Sequence, residues 1–167
     1  MRSSLFGHFA DASQARQRLF SPVDGTVIPL EKVADPIFAQ GTLGRGFAVE
    51  PTAGLLYAPV QGQVTLIATT QHAIMLHQAN GLDIMLHFGL NTAPLHGDPF
   101  RIHLRDGQQV RGGQRIGFMN RGKIRAAGQQ PTVVVVITNA AEALDRLTVD
   151  FGPTIGGRPV GELVARS

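Results

Sequence analysis

Cysteine is absent from the 167 residues, so the chain can hold no disulfide framework, no thiolate metal site and no thiol nucleophile. Long apolar runs are missing as well. The opening MRSSLFGHFADASQARQRLF contains neither a continuous apolar segment nor a small-residue cleavage pattern, and the longest later run is Val133–Ile137. The expectation is a cytoplasmic chain. No H-E-x-x-H motif and no phosphate-cradling glycine loop is present, which removes support from the common metallopeptidase and nucleotide-hydrolase chemistries. Nothing between Leu19 and the end resembles a linker or a low-complexity tract.

What the chain does have is turns. Twenty Gly and ten Pro are spread through a sequence that is 43% hydrophobic, and short apolar runs lie between them. This reads as an all-β sandwich or barrel of short strands with a few short helical segments, large enough to bury about 70% of its unfolded surface in one domain. That domain is placed at residues 19–167. Residues 1–18 read as a tail or a short amphipathic helix, with Leu5, Phe9, Ala12 and Leu19 near one stripe, and give the chain its one segment suited to weak membrane-surface contact. Two stretches look alike, Ser21-Pro22-Val23-Asp24-Gly25-Thr26-Val27 and Ala58-Pro59-Val60-Gln61-Gly62-Gln63-Val64, which suits internal pseudo-symmetry. Asn139 is placed as the cap of a helix over Ala140–Leu147.

The net charge of +3 arises from 15 Lys and Arg against 12 Asp and Glu, and seven of the bases are Arg101, Arg105, Arg111, Arg115, Arg121, Lys123 and Arg125. Only Phe100 and Phe118 interleave with them, and no nucleic-acid-binding motif accompanies them. No nucleic-acid partner is expected, and the bases read as a solvated face.

The richest segment is Gln71–Thr92, where two apolar runs flank Asn80-Gly81, the dipeptide suited to a tight hairpin turn. It carries His72 and His87. With a two-residue loop His72 is the diagonal neighbour of His87, at roughly 7–8 Å; with a four-residue loop the two are directly opposite, about 4.5–5.5 Å apart between Cβ atoms. In both cases they share a face with Ile74, Leu76, Asp83 and Met85. A loop of three or five residues sends the two imidazoles to opposite faces. His8, His77, His96 and His103 have no comparable constellation and read as surface histidines.

A histidine pair can bind a metal, but it supplies too few ligands for a closed or a catalytic site. It can also perform covalent catalysis, one imidazole taking up a group while the other stabilises it. Phosphoryl transfer suits the pair: a neutral ring nitrogen attacks phosphorus in line, and a protonated neighbour at about 4 Å contributes roughly 4 kcal/mol before desolvation. Thr70, two residues before His72, can orient the second ring.

Four segments carry a family resemblance: Thr70-Gln71-His72-Ala73, Leu86-His87-Phe88-Gly89-Leu90-Asn91-Thr92, Asp35-Pro36-Ile37-Phe38-Ala39 and the VVVVITN ending at Asn139. In order and spacing the chain from Leu19 onward resembles the glucose-type enzyme IIA of the bacterial phosphoenolpyruvate-dependent sugar phosphotransferase system. The resemblance implies a β-sandwich of the duplicated-hybrid-motif type and a phosphotransferase component. It makes His87 the phosphorylated residue, His72 the histidine contacting the phosphoryl group and Thr70 the partner of that second ring. Ile37, Phe38, Leu43, Ala68, Met85 and Ala93 fall on an apolar docking rim, and Asp35 on an acid that pairs with the donor's arginine. Asn91 stands where the family usually has Asp, and Arg45 where it usually has an acid. The implied donor is the histidine-containing phosphocarrier HPr or a protein like it, and the implied acceptor is the cysteine of the IIB domain of a sugar permease; no cofactor, metal or nucleotide is required. The alternative is a non-catalytic regulatory module that binds permeases or kinases with the same face. A lysostaphin-like zinc endopeptidase is a third reading, and its His-x-His and His-x-x-x-Asp ligand motifs are absent.

Overall fold

The computed structural model describes residues 16–167. The first strand, β1 (Arg16–Phe20), begins inside the segment read as a tail or helix; the remainder of that segment lies outside the described residues. Among the described residues fourteen strands form three sheets, every pairing antiparallel. The largest runs β13-β2-β3-β11-β7-β6-β5-β9, with β13 at Gly152–Thr154, β2 at Gly25–Pro29, β3 at Arg45–Pro51, β11 at Gln130–Ile137, β7 at Asp83–Leu90, β6 at Ala73–His77, β5 at Gly62–Ile67 and β9 at Gln109–Val110. A second sheet joins β4 (Leu55–Tyr57), β10 (Arg115–Met119) and β8 (Phe100–Ile102), and a third places β14 (Pro159–Ala165) between β1 and β12 (Leu144–Val149). The all-β sandwich expected from the sequence is the fold found.

β11 shows how sequence sets position. Four consecutive valines favour a strand, and they show no alternation because both faces are covered. Val133, Val135 and Ile137 point into the main core with Phe47, Phe88, Phe100 and Met119, while Val134 and Val136 point the other way. There they meet a second, smaller cluster formed with Leu30, Val33, Phe38, Ala48 and Leu90. A cover segment closes this cluster: a 3-10 turn at Leu30–Lys32 and helix α1 (Pro36–Ala39), capped by Asp35 Oδ1 accepting from Ile37 N at 3.0 Å. The cover supplies Leu30, Val33 and Phe38 to the outer face over β3, β11 and the end of β7. β6 and β7, beside it, alternate buried and half-buried residues, as strands with one face in the core should.

The two similar stretches meet across the fold. Phe20 N donates to Pro59 O and Tyr57 N to Pro22 O, both at 2.8 Å, so each stretch backs onto the other. Their glycines serve the same end: a Cβ on Gly25 would sit 2.1 Å from Glu50 O, and one on Gly62 2.9 Å from His77 O.

Two expectations need correction. The helix placed over Ala140–Leu147 is one turn, α3 (Ala140–Ala143), after α2 (Arg121–Ala126); from Leu144 the chain becomes β12 and pairs with β14. Asn139 makes no side-chain cap, because its amide is committed to the β6–β7 turn, with Oδ1 accepting from Asp83 N and Nδ2 donating to Gly81 O. The hairpin register is also odd. His77 faces Asp83 and Ala73 faces His87, leaving the five residues Gln78–Leu82 between the strands. Ile74 and Leu76 therefore point into the core, away from Asp83, Met85 and His87.

Candidate functional site

An odd register should have separated His72 from His87, yet their ring centroids lie 5.3 Å apart at an interplanar angle of 81°. Strand alternation does not apply to His72 because β6 begins one residue later. Gln71, in the left-handed region at φ 56°, ends a tight turn in which its N–H donates to Ala68 O. This brings His72 round the end of the strand to the outer face. His72 stays anchored to β7 through its carbonyl, which accepts from Phe88 N at 2.7 Å.

His87 is held on three sides. Phe38 of α1 stands edge-on to its ring at 5.2 Å, His72 stands on another side, and Nδ1 donates to Gly89 O at 2.8 Å. That bond leaves the proton of the neutral ring on Nδ1 and the lone pair on Nε2. Gly89 turns its carbonyl back with φ 76°, and a Cβ there would lie 2.6 Å from Thr92 Cγ2. The buried Thr92 fixes the same bend, its hydroxyl donating to Phe88 O. Burial, reinforced by His72 alongside, pushes His87 down to about 4, with the Gly89 carbonyl and the Asp35 charge acting in the opposite direction. His87 is consequently a neutral base at physiological pH.

Thr70 Oγ1 and His72 Nδ1 are hydrogen-bonded to each other. Burial lowers the pKa of His72 too, so the protonated neighbour considered from the sequence is replaced by a neutral ring. With the Thr70 hydroxyl as donor, the ring proton resides on Nε2. The pair then offers a lone pair on one ring and an N–H on the other.

The remaining sequence-derived residues surround this pair unevenly. Met85 is half-buried two residues before His87 on the same face and packs on the second cluster. Ile37 and Leu43 are 53% and 37% exposed, whereas Phe38 is only 4% exposed and forms the wall of the site. Asn91 (φ 55°) and Ala93 are exposed beyond the end of β7, and Ala68 is half-buried in the turn before His72. Asp83 is taken up elsewhere, bonded to His77 Nδ1 at 2.6 Å and to Asn139 Nδ2 at 3.3 Å. His77 thus lies on the face of His87 and is exposed, as a surface histidine should be. Among the described residues no group of three or more His, Cys, Asp or Glu side chains could hold a metal ion, and no helix is long and apolar enough to cross a membrane. Gly89 was the functional residue sequence reasoning missed; a glycine two residues after the histidine was its only signal.

Residues 17–143 match the family model described as phosphoenolpyruvate-dependent sugar phosphotransferase system, EIIA 1. The chain is 42% identical over 132 residues to the PTS system glucose-specific EIICBA component of Streptococcus pneumoniae, a match covering 79% of this chain and 18% of that one. It therefore spans less than a fifth of that relative's length. It is also 33% identical over 162 residues to the PTS system glucose-specific EIIA component of Bacillus cereus, with 96% of each covered. Among solved structures it is similar to the glucose permease IIA from Mycoplasma capricolum, with a TM-score of 0.78 and 28% identity over 88% of this chain and 95% of that one.

Proposed function

The chain belongs to the EIIA 1 family of the phosphoenolpyruvate-dependent sugar phosphotransferase system, and from that premise we propose that it is a phosphocarrier with His87 as the acceptor. The observation that carries the proposal is the Gly89 carbonyl on Nδ1 of a neutral His87, with Nε2 left free beside a second imidazole. The donor is HPr or a protein like it. His87 Nε2 attacks the phosphorus of the donor's phosphohistidine in line, the new N–P bond forms as the old one breaks, and the donor ring departs with its electron pair. Because Nδ1 keeps its proton, positive charge develops on the His87 ring. The Gly89 carbonyl and Asp35, which favour the protonated ring, stabilise that charge. His72, oriented by Thr70, donates from Nε2 to a phosphoryl oxygen.

Onward transfer reverses the roles. A cysteine thiolate of a permease IIB domain attacks phosphorus, and His87 recovers its lone pair. The EIICBA relative supports a B component of a sugar permease as the recipient. Asp35, Ile37, Leu43, Ala68, Met85, Asn91 and Ala93 form the contact surface for both partners, with Phe38 supporting His87 from below. The non-catalytic regulatory alternative is not favoured by these relatives.

The test is incorporation of labelled phosphate from phosphoenolpyruvate with enzyme I and HPr present. Uptake is expected in the wild-type chain and in His72→Gln, and none in His87→Gln; onward transfer to a IIB thiol is expected to fail in His72→Gln. Uptake that persists in His87→Gln, or its absence from the wild type alongside a competent HPr, overturns the assignment.

A further inference from the structure

The β4-β10-β8 sheet lies across the main core from the histidine site. Leu56, Phe100 and Met119 point inward, and the Phe100 ring lies 6.0 Å from that of Phe88 on the large sheet. Its outer face consequently looks away from His87. Register places Leu55, Phe118 and Arg101 in one row across the three strands, with Arg115 further along β10. Leu55 and Phe118 are 40% and 42% exposed, side by side. A cavity of about 130 Å³ opens beside Phe118 and is lined also by Asp98, Pro99, Arg101, Asn120 and Lys123.

The charge of this region is one-sided. Between residues 98 and 125 the seven bases are opposed by two carboxylates, Asp98 and Asp106. Asp98 holds Lys123 at 3.2 Å, while Arg101 and Arg115 have no ion pair among the described residues. We propose that this face is a docking surface for an anionic lipid bilayer. Exposed cations around a paired ring and leucine match what an interface asks for: cations for lipid phosphates, and apolar side chains at headgroup depth. A single-stranded nucleic acid needs several stacking rings, and this face exposes one, Phe118; Tyr57, opposite Arg115, is half-buried against Gly156 and Gly157. Docked this way, the chain presents His87 to the aqueous side, free to meet its protein partners.

The test is co-sedimentation of the full chain with vesicles of phosphatidylcholine alone or mixed in equal parts with phosphatidylglycerol. Binding is expected only to the mixed vesicles and is released by high salt. Each cation near an anionic surface contributes about fivefold to partitioning, so Arg101→Ala with Arg115→Ala should weaken it about 25-fold. Phe118→Ser should weaken it further, and the double arginine variant should leave the thermal transition and phosphate uptake unchanged. No binding to mixed vesicles, equal binding to both vesicle types, or full binding by the double arginine variant overturns the proposal; the last places binding elsewhere in the chain. Binding to polyglutamate but not to vesicles, through the same arginines, also overturns it, and assigns the face to an acidic polypeptide.

Discussion

His87 is a base whose proton affinity is set by where the chain bends. An unfolded histidine titrates near 6.5, whereas folded His87 is held at about 4, so between these values the unfolded chain binds more protons. Stability therefore falls as pH drops through that window, with the full loss reached below about 4. A shift of this size corresponds to about 3 kcal/mol. Urea unfolding of His87→Gln is accordingly expected to lose about 3 kcal/mol less than the wild type between pH 7 and pH 4. Gly89→Ala should act differently. Its left-handed φ and the clash with Thr92 should cost about 1–3 kcal/mol and swing the carbonyl off Nδ1, slowing phosphate uptake with His87 still present. Asn91 tolerates its left-handed φ as Asp would, so Asn91→Asp should keep the fold and lower the KM for HPr at low salt by up to about fivefold, the range of an exposed ion pair. Histidine and threonine spacing made the site legible in sequence. The tautomer was not, because it depends on a backbone carbonyl and not on a residue type.

At the level of elements, the β6–β7 hairpin owes its shape to a side chain from the far end of β11. Asn139 bonds Asp83 N, Gly81 O and Asp83 Oδ2, stitching the turn to the large sheet. Asn139→Ala should cost about 1–3 kcal/mol by leaving these groups unpaired, read as a lower urea midpoint with faster amide exchange at Gly81 and Asp83. The same bonds explain why residues 140–147 misled sequence reasoning. Ala140, Leu144 and Leu147 have helical spacing, but β14 offers an open edge, and the apolar pattern of Leu144–Val149 serves a strand equally well. Hairpin parity failed for a related reason: alternation describes residues within a strand, and His72 lies just outside one. Most of the other strands were plain from their turns, since glycine and proline marked their junctions, whereas β1 and β12 lay in segments read as tail or helix.

Across the whole molecule, three sheets share one core, and the outer faces of the large sheet and of the β4-β10-β8 sheet carry different chemistry. Phe88 lies fully buried between those two sheets, and Phe88→Ala should cost about 3–5 kcal/mol, measured as a lower thermal midpoint. Which sheet would cover which was beyond the sequence, because pairings such as β1 with β14 join residues more than a hundred positions apart. That pairing reaches further. Arg16 lies opposite Val164, so polypeptide arriving at the first strand and polypeptide departing from the last share one doorway. Any further domain joined ahead of β1 or behind β14 would thus be joined at one and the same edge, leaving the opposite sheet with its histidine pair unencumbered by either connection.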